Sequence, residues 1–163
     1  MPQVFVGIGS NIDPERNVRS AVAGLRKRFA PLRVSPVYAS KAVGYDGEDY
    51  LNLVVGFDTA LPLDAVEAEL DALEAAHGRT SRVKRLAARS LDLDLLSYDD
   101  QVLETPGLTL PRPDILRYAF VLKPLADIAP EALHPLLNRS YRELWQRFPA
   151  VEQPLRPVEI DLS

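Results

Sequence analysis

In the run Arg89-Ser90-Leu91-Asp92-Leu93-Asp94-Leu95-Leu96 two aspartates stand two residues apart among leucines. On an extended strand both carboxylates leave from one face, about 6 to 7 Å apart along the chain, while the leucines point the other way. Magnesium takes oxygen ligands and is commonly held by one or two carboxylates together with substrate phosphates. Two such ions, about 3.5 to 4 Å apart, can clamp a phosphate chain between them. An isolated D-x-D is more often the solvated face of a strand, so the neighbourhood decides. Between Gly78 and Ser90 the chain carries Arg79, Arg82, Lys84, Arg85 and Arg89 and no acid. Two carboxylates beside a cationic loop match a magnesium polyphosphate, whose transferring phosphoryl group guanidinium ions stabilise. A solvated basic loop and a nucleic-acid patch are the alternatives, and the adjoining carboxylates oppose the second.

Other phosphate and nucleophile chemistry is excluded by what the sequence lacks. No G-x-x-x-x-G-K-[ST] is present, so this is not a P-loop nucleotide site. Gly7-Ile8-Gly9 resembles the start of a dinucleotide fingerprint, but Ile12 stands where the third glycine belongs, and the glycines read instead as close packing or a tight strand exit. There is no cysteine, hence no disulfide, thiolate nucleophile or thiolate metal site. The two histidines, His77 and His134, lack a triad signature and read as structural or exposed. A net charge of −4 gives no general attraction to nucleic acid or membrane. No apolar run approaches the roughly 20 residues of a membrane span, and MPQVFVGIGS lacks a basic leader region, so a cytoplasmic location is expected.

The elements that must position these residues follow from periodicity. Val4–Ser10 reads as a strand, and Asp13-Pro14-Glu15 as an N-cap, a first-turn proline and an early acid. Val18, Ala21, Val22, Leu25 and Phe29 keep helical spacing until Pro31, before a second strand near Leu32–Tyr38. Leu51, Leu53, Val55 and Phe57 alternate as a third strand. Leu63, Val66, Leu70 and Leu73 return to helical spacing, with Gly78 as the C-cap, and Ser90–Tyr98 alternates again. The order is βαββαβ, an α+β chain with a ferredoxin-like antiparallel sheet backed by helices. A helical extension follows, with a short helix near Pro113–Arg117 and another after Ser140, where Ser140-Tyr141-Arg142-Glu143 forms a capping box. At 163 residues, with no internal repeat or linker, the chain reads as one domain, residues 1–163.

The run Arg85-Leu86-Ala87-Ala88-Arg89-Ser90-Leu91-Asp92-Leu93-Asp94-Leu95-Leu96 resembles the signature of the 6-hydroxymethyl-7,8-dihydropterin pyrophosphokinases of the folate pathway. The likeness extends to Gly9-Ser10-Asn11, to Asp49-Tyr50-Leu51-Asn52, to Leu73-Glu74 through Gly78-Arg79, and to Ala119-Phe120-Val121-Leu122 through Pro124-Leu125. It implies that Asp92 and Asp94 coordinate two magnesium ions and that Arg79 and Arg89 contact the phosphates of ATP. Glu74 and Thr109 would line the nucleotide pocket. Tyr50 and Phe120 would enclose the pterin, Asn52 would bond its edge, and the loop from Ser40 through Val43 to Gly44 would supply backbone partners. A planar heterocycle is well held in this way, between aromatic faces with a few polar groups fixing its orientation.

Departures from the family pattern cluster on the nucleotide side. Lys41-Ala42 replaces two prolines, Leu86 a tryptophan, Ala87-Ala88 a Gly-Pro pair, and Tyr118 an arginine. Arg112-Pro113 stands where a histidine and an aromatic residue often meet ATP. Arg112 is therefore expected to reach a phosphate through its guanidinium donors. The resemblance implies in-line attack by the pterin hydroxymethyl oxygen on the β-phosphorus of ATP, with AMP leaving. The partners are two small molecules, without nucleic acid or membrane. The competing readings are a catalytically silent pterin- or nucleotide-binding paralogue and a ferredoxin-like RNA-binding module.

Overall fold

The structure is a computed structural model that describes residues 1–41, 49–78 and 91–162. The expectations placed on Val43, Gly44, Arg79 and Arg89 lie outside the described residues.

The expected order is present: β1 (Gln3–Ser10), α1 (Pro14–Phe29), β2 (Arg33–Val34), β3 (Val37–Ser40), β4 (Tyr50–Asp58), α2 (Leu63–Ala76) and β5 (Asp92–Tyr98). The second strand comes in two pieces. Pro36 has no amide hydrogen to give a ladder, and Ser35 bridges the gap, donating its own N–H to Val54 O (3.0 Å) and accepting the Val54 N–H on Oγ (2.9 Å). A hairpin of β6 (Leu103–Thr105) and β7 (Leu108–Leu110) follows. Then come α3 (Asp114–Arg117), α4 (Ala119–Ile128), α5 (Tyr141–Gln146) and a last strand, β8 (Arg156–Val158). The main sheet is ordered β5-β1-β4-β3-β8, with β2 also paired to β4 and every pairing antiparallel. This is the ferredoxin-like arrangement.

Alternation along the strands divides the core in two. Val4, Val6, Ile8, Leu53, Val55, Phe57, Leu93 and Leu95 face α1 and α2, where Phe29 stacks on Phe57 at 4.1 Å. Phe5, Val54 and Leu96 face the opposite way, onto Ile115, Val121, Leu122, Leu125 and Tyr141. The pairing of β1 with β5 slips between Phe5 and Val6, leaving Leu96 as an extra residue. This bulge shifts the alternation after Leu96, so that Ser97 pairs with Phe5 and Tyr98 joins Leu93 and Leu95 in the core under α1 and α2.

The helix ends meet the expectations unequally. Asp13 sits at the N-cap position of α1 but is left-handed (φ 43°) and makes no capping bond with its side chain. Its carboxylate lies 3.8 Å from Arg16 instead. Gly78 follows α2 with φ 89°, the left-handed conformation a helix stop favours, and its N–H bonds Ala75 O. Half of the capping box forms: Ser140 Oγ accepts the Glu143 N–H at 3.2 Å, while the Glu143 carboxylate turns to Arg139 at 3.0 Å. Both histidines are structural. His77 bonds Leu73 O through Nδ1 and Ser20 through Nε2. Buried His134 accepts the Leu136 and Leu137 N–H groups on Nδ1, and burial lowers its pKa below the usual value. Among the described residues no helix is long and apolar enough to cross a membrane.

Candidate active site

Antiparallel partners share a face of the sheet, so the register places the chemistry. Asp92 is opposite Gly9, which is opposite Asn52, which is opposite Tyr38. One step along, Asp94 is opposite Gly7, which is opposite Val54. The carboxylates and Asn52 thus stand on the face turned away from α1 and α2, separated by a central strand that carries only hydrogens at two positions. A Cβ added to Gly9 would lie 3.5 Å from Asn52 Oδ1 and 3.7 Å from the Tyr50 ring. The missing side chain is therefore floor space between the paired carboxylates and the polar group beyond. Asn52 is buried, and its Nδ2 donates to Ser40 Oγ at 2.8 Å, which fixes which way the amide points. Ser40 is itself paired with Tyr50 across the ladder.

Glu74 reaches this strand from the other side. It lies in the last turn of α2, buried, and its Oε2 accepts the N–H of Leu93 at 2.7 Å. Leu93 separates the two aspartates, so the bond fixes the backbone that aims them. Burial first, and then the charge of Asp92, push the pKa of Asp94 up to about 7. Arg112 opposes that rise, and Asp114 and Glu74 add to it.

Arg112 enters from the turn after β7, with its N–H on Leu96 O at 2.8 Å. Its Nη2 is 3.5 Å from Asp94 Oδ1 and its Nε is 3.3 Å from Asp114 Oδ2. Burial disfavours the charged guanidinium, but Asp94 and Asp114 outweigh it and its pKa rises. Sequence reasoning named Arg112 and missed Asp114, whose signal is its position two residues after that arginine and one after a proline. Thr109 lies half-buried in β7 opposite Glu104 and connects to Arg112 along the chain.

Beyond Asn52, α4 lies across β4 and β3. Phe120, at its first turn, stacks on Tyr118 with ring centres 5.0 Å apart. Tyr38 donates to Asp127 Oδ2, and Asp127 also takes Lys123 Nζ at 2.7 Å, so one carboxylate ties the helix to the strand row that holds Asn52.

Among the described residues no three potential metal-binding side chains gather around one point. A pair of carboxylates suits a magnesium ion that completes its octahedron with phosphate oxygens and water, and hard oxygen donors select such a cation.

The family description that matches residues 5–130 is "7,8-dihydro-6-hydroxymethylpterin-pyrophosphokinase (HPPK)". A 2-amino-4-hydroxy-6-hydroxymethyldihydropteridine pyrophosphokinase of Aquifex aeolicus is 31% identical over 145 residues, covering 88% of this chain and 90% of that protein. The protein of the same name from Pseudomonas aeruginosa is 39% identical over 138 residues, covering 82% and 84%. Among solved structures, a triple mutant of Plasmodium falciparum HPPK-DHPS with SDX-DHP superposes with a TM-score of 0.72 over 90% of this chain at 12% identity. The chain spans 41% of that longer protein, and the likeness is one of fold.

Proposed function

The chain belongs to the 7,8-dihydro-6-hydroxymethylpterin-pyrophosphokinase family, and from that premise we propose that the face carrying Asp92, Asp94 and Asn52 is where ATP and the pterin alcohol meet. It is a diphosphokinase of folate biosynthesis that transfers diphosphate from ATP to the hydroxymethyl group of 6-hydroxymethyl-7,8-dihydropterin, with AMP as the other product. The observation that carries the site assignment is the row Asp92–Gly9–Asn52, two polar groups on one face with a glycine between them.

In this reading Asn52, held by Ser40, bonds the edge of the pterin, and Tyr50 and Phe120 cover its faces. The bond that forms joins the hydroxymethyl oxygen to the β-phosphorus, and the bond that breaks releases AMP. Asp92 and Asp94 are the ligands of two magnesium ions, which when bound supply charge neutralisation on the phosphates. Arg79, Arg89 and Arg112 add guanidinium donors to the phosphate chain, and Glu74 and Thr109 line the nucleotide side. The proton of the attacking hydroxyl leaves beside the aspartates. Catalysis is then mainly positioning and electrostatic stabilisation, as is general for phosphoryl transfer. The backbone of Val43 and Gly44 completes the pterin edge. Residues 1–163 act as one pyrophosphokinase domain in this proposal. Its support beyond the family match is that Tyr141 packs under the sheet and β8 extends it.

Phosphorus NMR of a mixture of protein, ATP, magnesium and the reduced pterin alcohol tests the cleavage site. AMP in equal amount to a pterin diphosphate is expected. Stoichiometric ADP with a pterin monophosphate overturns the mechanism.

A further inference from the structure

Arg112 is held by the carboxylates without being locked to them. A paired guanidinium normally presents aligned donors at about 2.7 to 2.9 Å. Here the nearest approaches are 3.5 Å to Asp94 and 3.3 Å to Asp114, and buried Nε has no aligned hydrogen bond among the described residues. The main chain, in contrast, is fixed by the bond to Leu96 O. A fixed root with a loosely held charge is suited to exchange. Asp94, Asp114 and Asp92 all act on this guanidinium, and paired carboxylates suit a divalent cation as well as an arginine.

We propose that Arg112 is a stand-in cation for the metal site: it holds Asp94 until a divalent ion takes that carboxylate, and is then turned to the nucleotide phosphates, so that metal and nucleotide bind as coupled ligands. The inference rests on the assignment of Asp94 as a magnesium ligand. A doubly charged ion on Asp94 outcompetes a single charge 3.5 Å away. Asp114 lies outside the D-x-D pair and keeps the displaced guanidinium close. The freed donors then face the phosphates that arrive with the metal, a geometry to which arginine is suited. Because the exchange links two binding events, each ligand must raise the affinity of the other by the same factor.

The test is manganese titration followed by electron paramagnetic resonance, with and without a non-hydrolysable ATP analogue, on the wild type, Arg112→Ala, Arg112→Lys and Asp94→Asn, each checked for folding by circular dichroism. Without nucleotide, Arg112→Ala should bind manganese about twofold to fivefold more tightly than the wild type, the scale of a partly exposed ion pair. The gain in manganese affinity caused by the analogue should shrink in Arg112→Ala and return in Arg112→Lys. Equal or weaker manganese binding by Arg112→Ala, with Asp94→Asn impaired, overturns the stand-in role and leaves the metal assignment in place. Unimpaired binding by Asp94→Asn overturns both.

Discussion

Removing the Glu74 carboxylate should loosen β5 at the point where it aims Asp92 and Asp94. Glu74 is buried, and its Oε2 takes the Leu93 N–H at 2.7 Å on the side of β5 that has no neighbouring strand among the described residues. In Glu74→Ala that buried amide loses a charged acceptor, a change that costs about 1.5 to 3 kcal/mol. For a chain of this length each kcal/mol lowers the melting temperature by about 2 to 4 °C, so the expected fall is about 3 to 12 °C. Glu74→Gln keeps an acceptor oxygen and should lose less than half as much. It also removes one of the charges that push Asp94 up. Thermal melts of the ligand-free proteins measure the first effect, and amide exchange at Leu93 localises it. If Glu74→Ala melts with the wild type and the Leu93 amide stays equally protected, the brace is not what the hydrogen bond implies. A pocket role alone would then remain, visible as weaker nucleotide binding at unchanged stability.

Asp92→Ala should abolish turnover and leave the ligand-free melting temperature level or higher, because it relieves the like charge on Asp94; retained activity sinks the metal assignment. Asp94→Ala should also be inactive, with little stability gained, since Arg112 loses a carboxylate partner. For His134, burial lowers the folded pKa below the ordinary histidine value, so the unfolded chain binds the proton more readily. Its contribution is full above about pH 6.5 and is lost as pH falls toward the depressed value. His134→Asn should flatten that part of a urea-midpoint profile, and an unchanged slope refutes it. Gly56→Ala places a Cβ 2.8 Å from Phe5 Cε1 and should cost about 1 to 3 kcal/mol by overpacking; a neutral result in chemical denaturation shows that Phe5 yields freely.

The first hundred residues were legible because apolar spacing changes sharply between two and three-to-four, as at Phe57 and Leu63 or at Gly78 and Leu91. The carboxylate pair was legible too, since strand alternation alone puts Asp92 and Asp94 on one face. What escaped depended on contacts distant in sequence. Pro124 lies inside α4, where a proline removes a helical donor, yet Val121, Leu122 and Leu125 bury against Phe5 and Val54 and carry the helix. Arg156-Pro157-Val158 gives no strand signal of its own and is extended only by its pairing with β3. Gly7 and Gly9 were read as packing or a strand exit. Gly7 does meet Leu96, but Gly9 becomes floor space only when β4 brings Asn52 alongside. Arg112 was expected at a phosphate, and nothing local in the sequence announces that Asp94 would hold it first.

The far end of the sheet bears on solubility. β8 is three residues long, with Pro157 at its centre opposite Tyr38. A short strand with a proline offers few groups for another chain to pair with, which is how natural sheets discourage edge-to-edge association. Behind it lies β3, Val37–Ser40, buried throughout and able to present an apolar edge. The segment at 156–158 therefore acts as a guard. Loss of these residues would open the strand that carries Tyr38 and Ser40 to intermolecular strand addition, so that a shortened chain would precipitate at concentrations where the whole one stays dispersed.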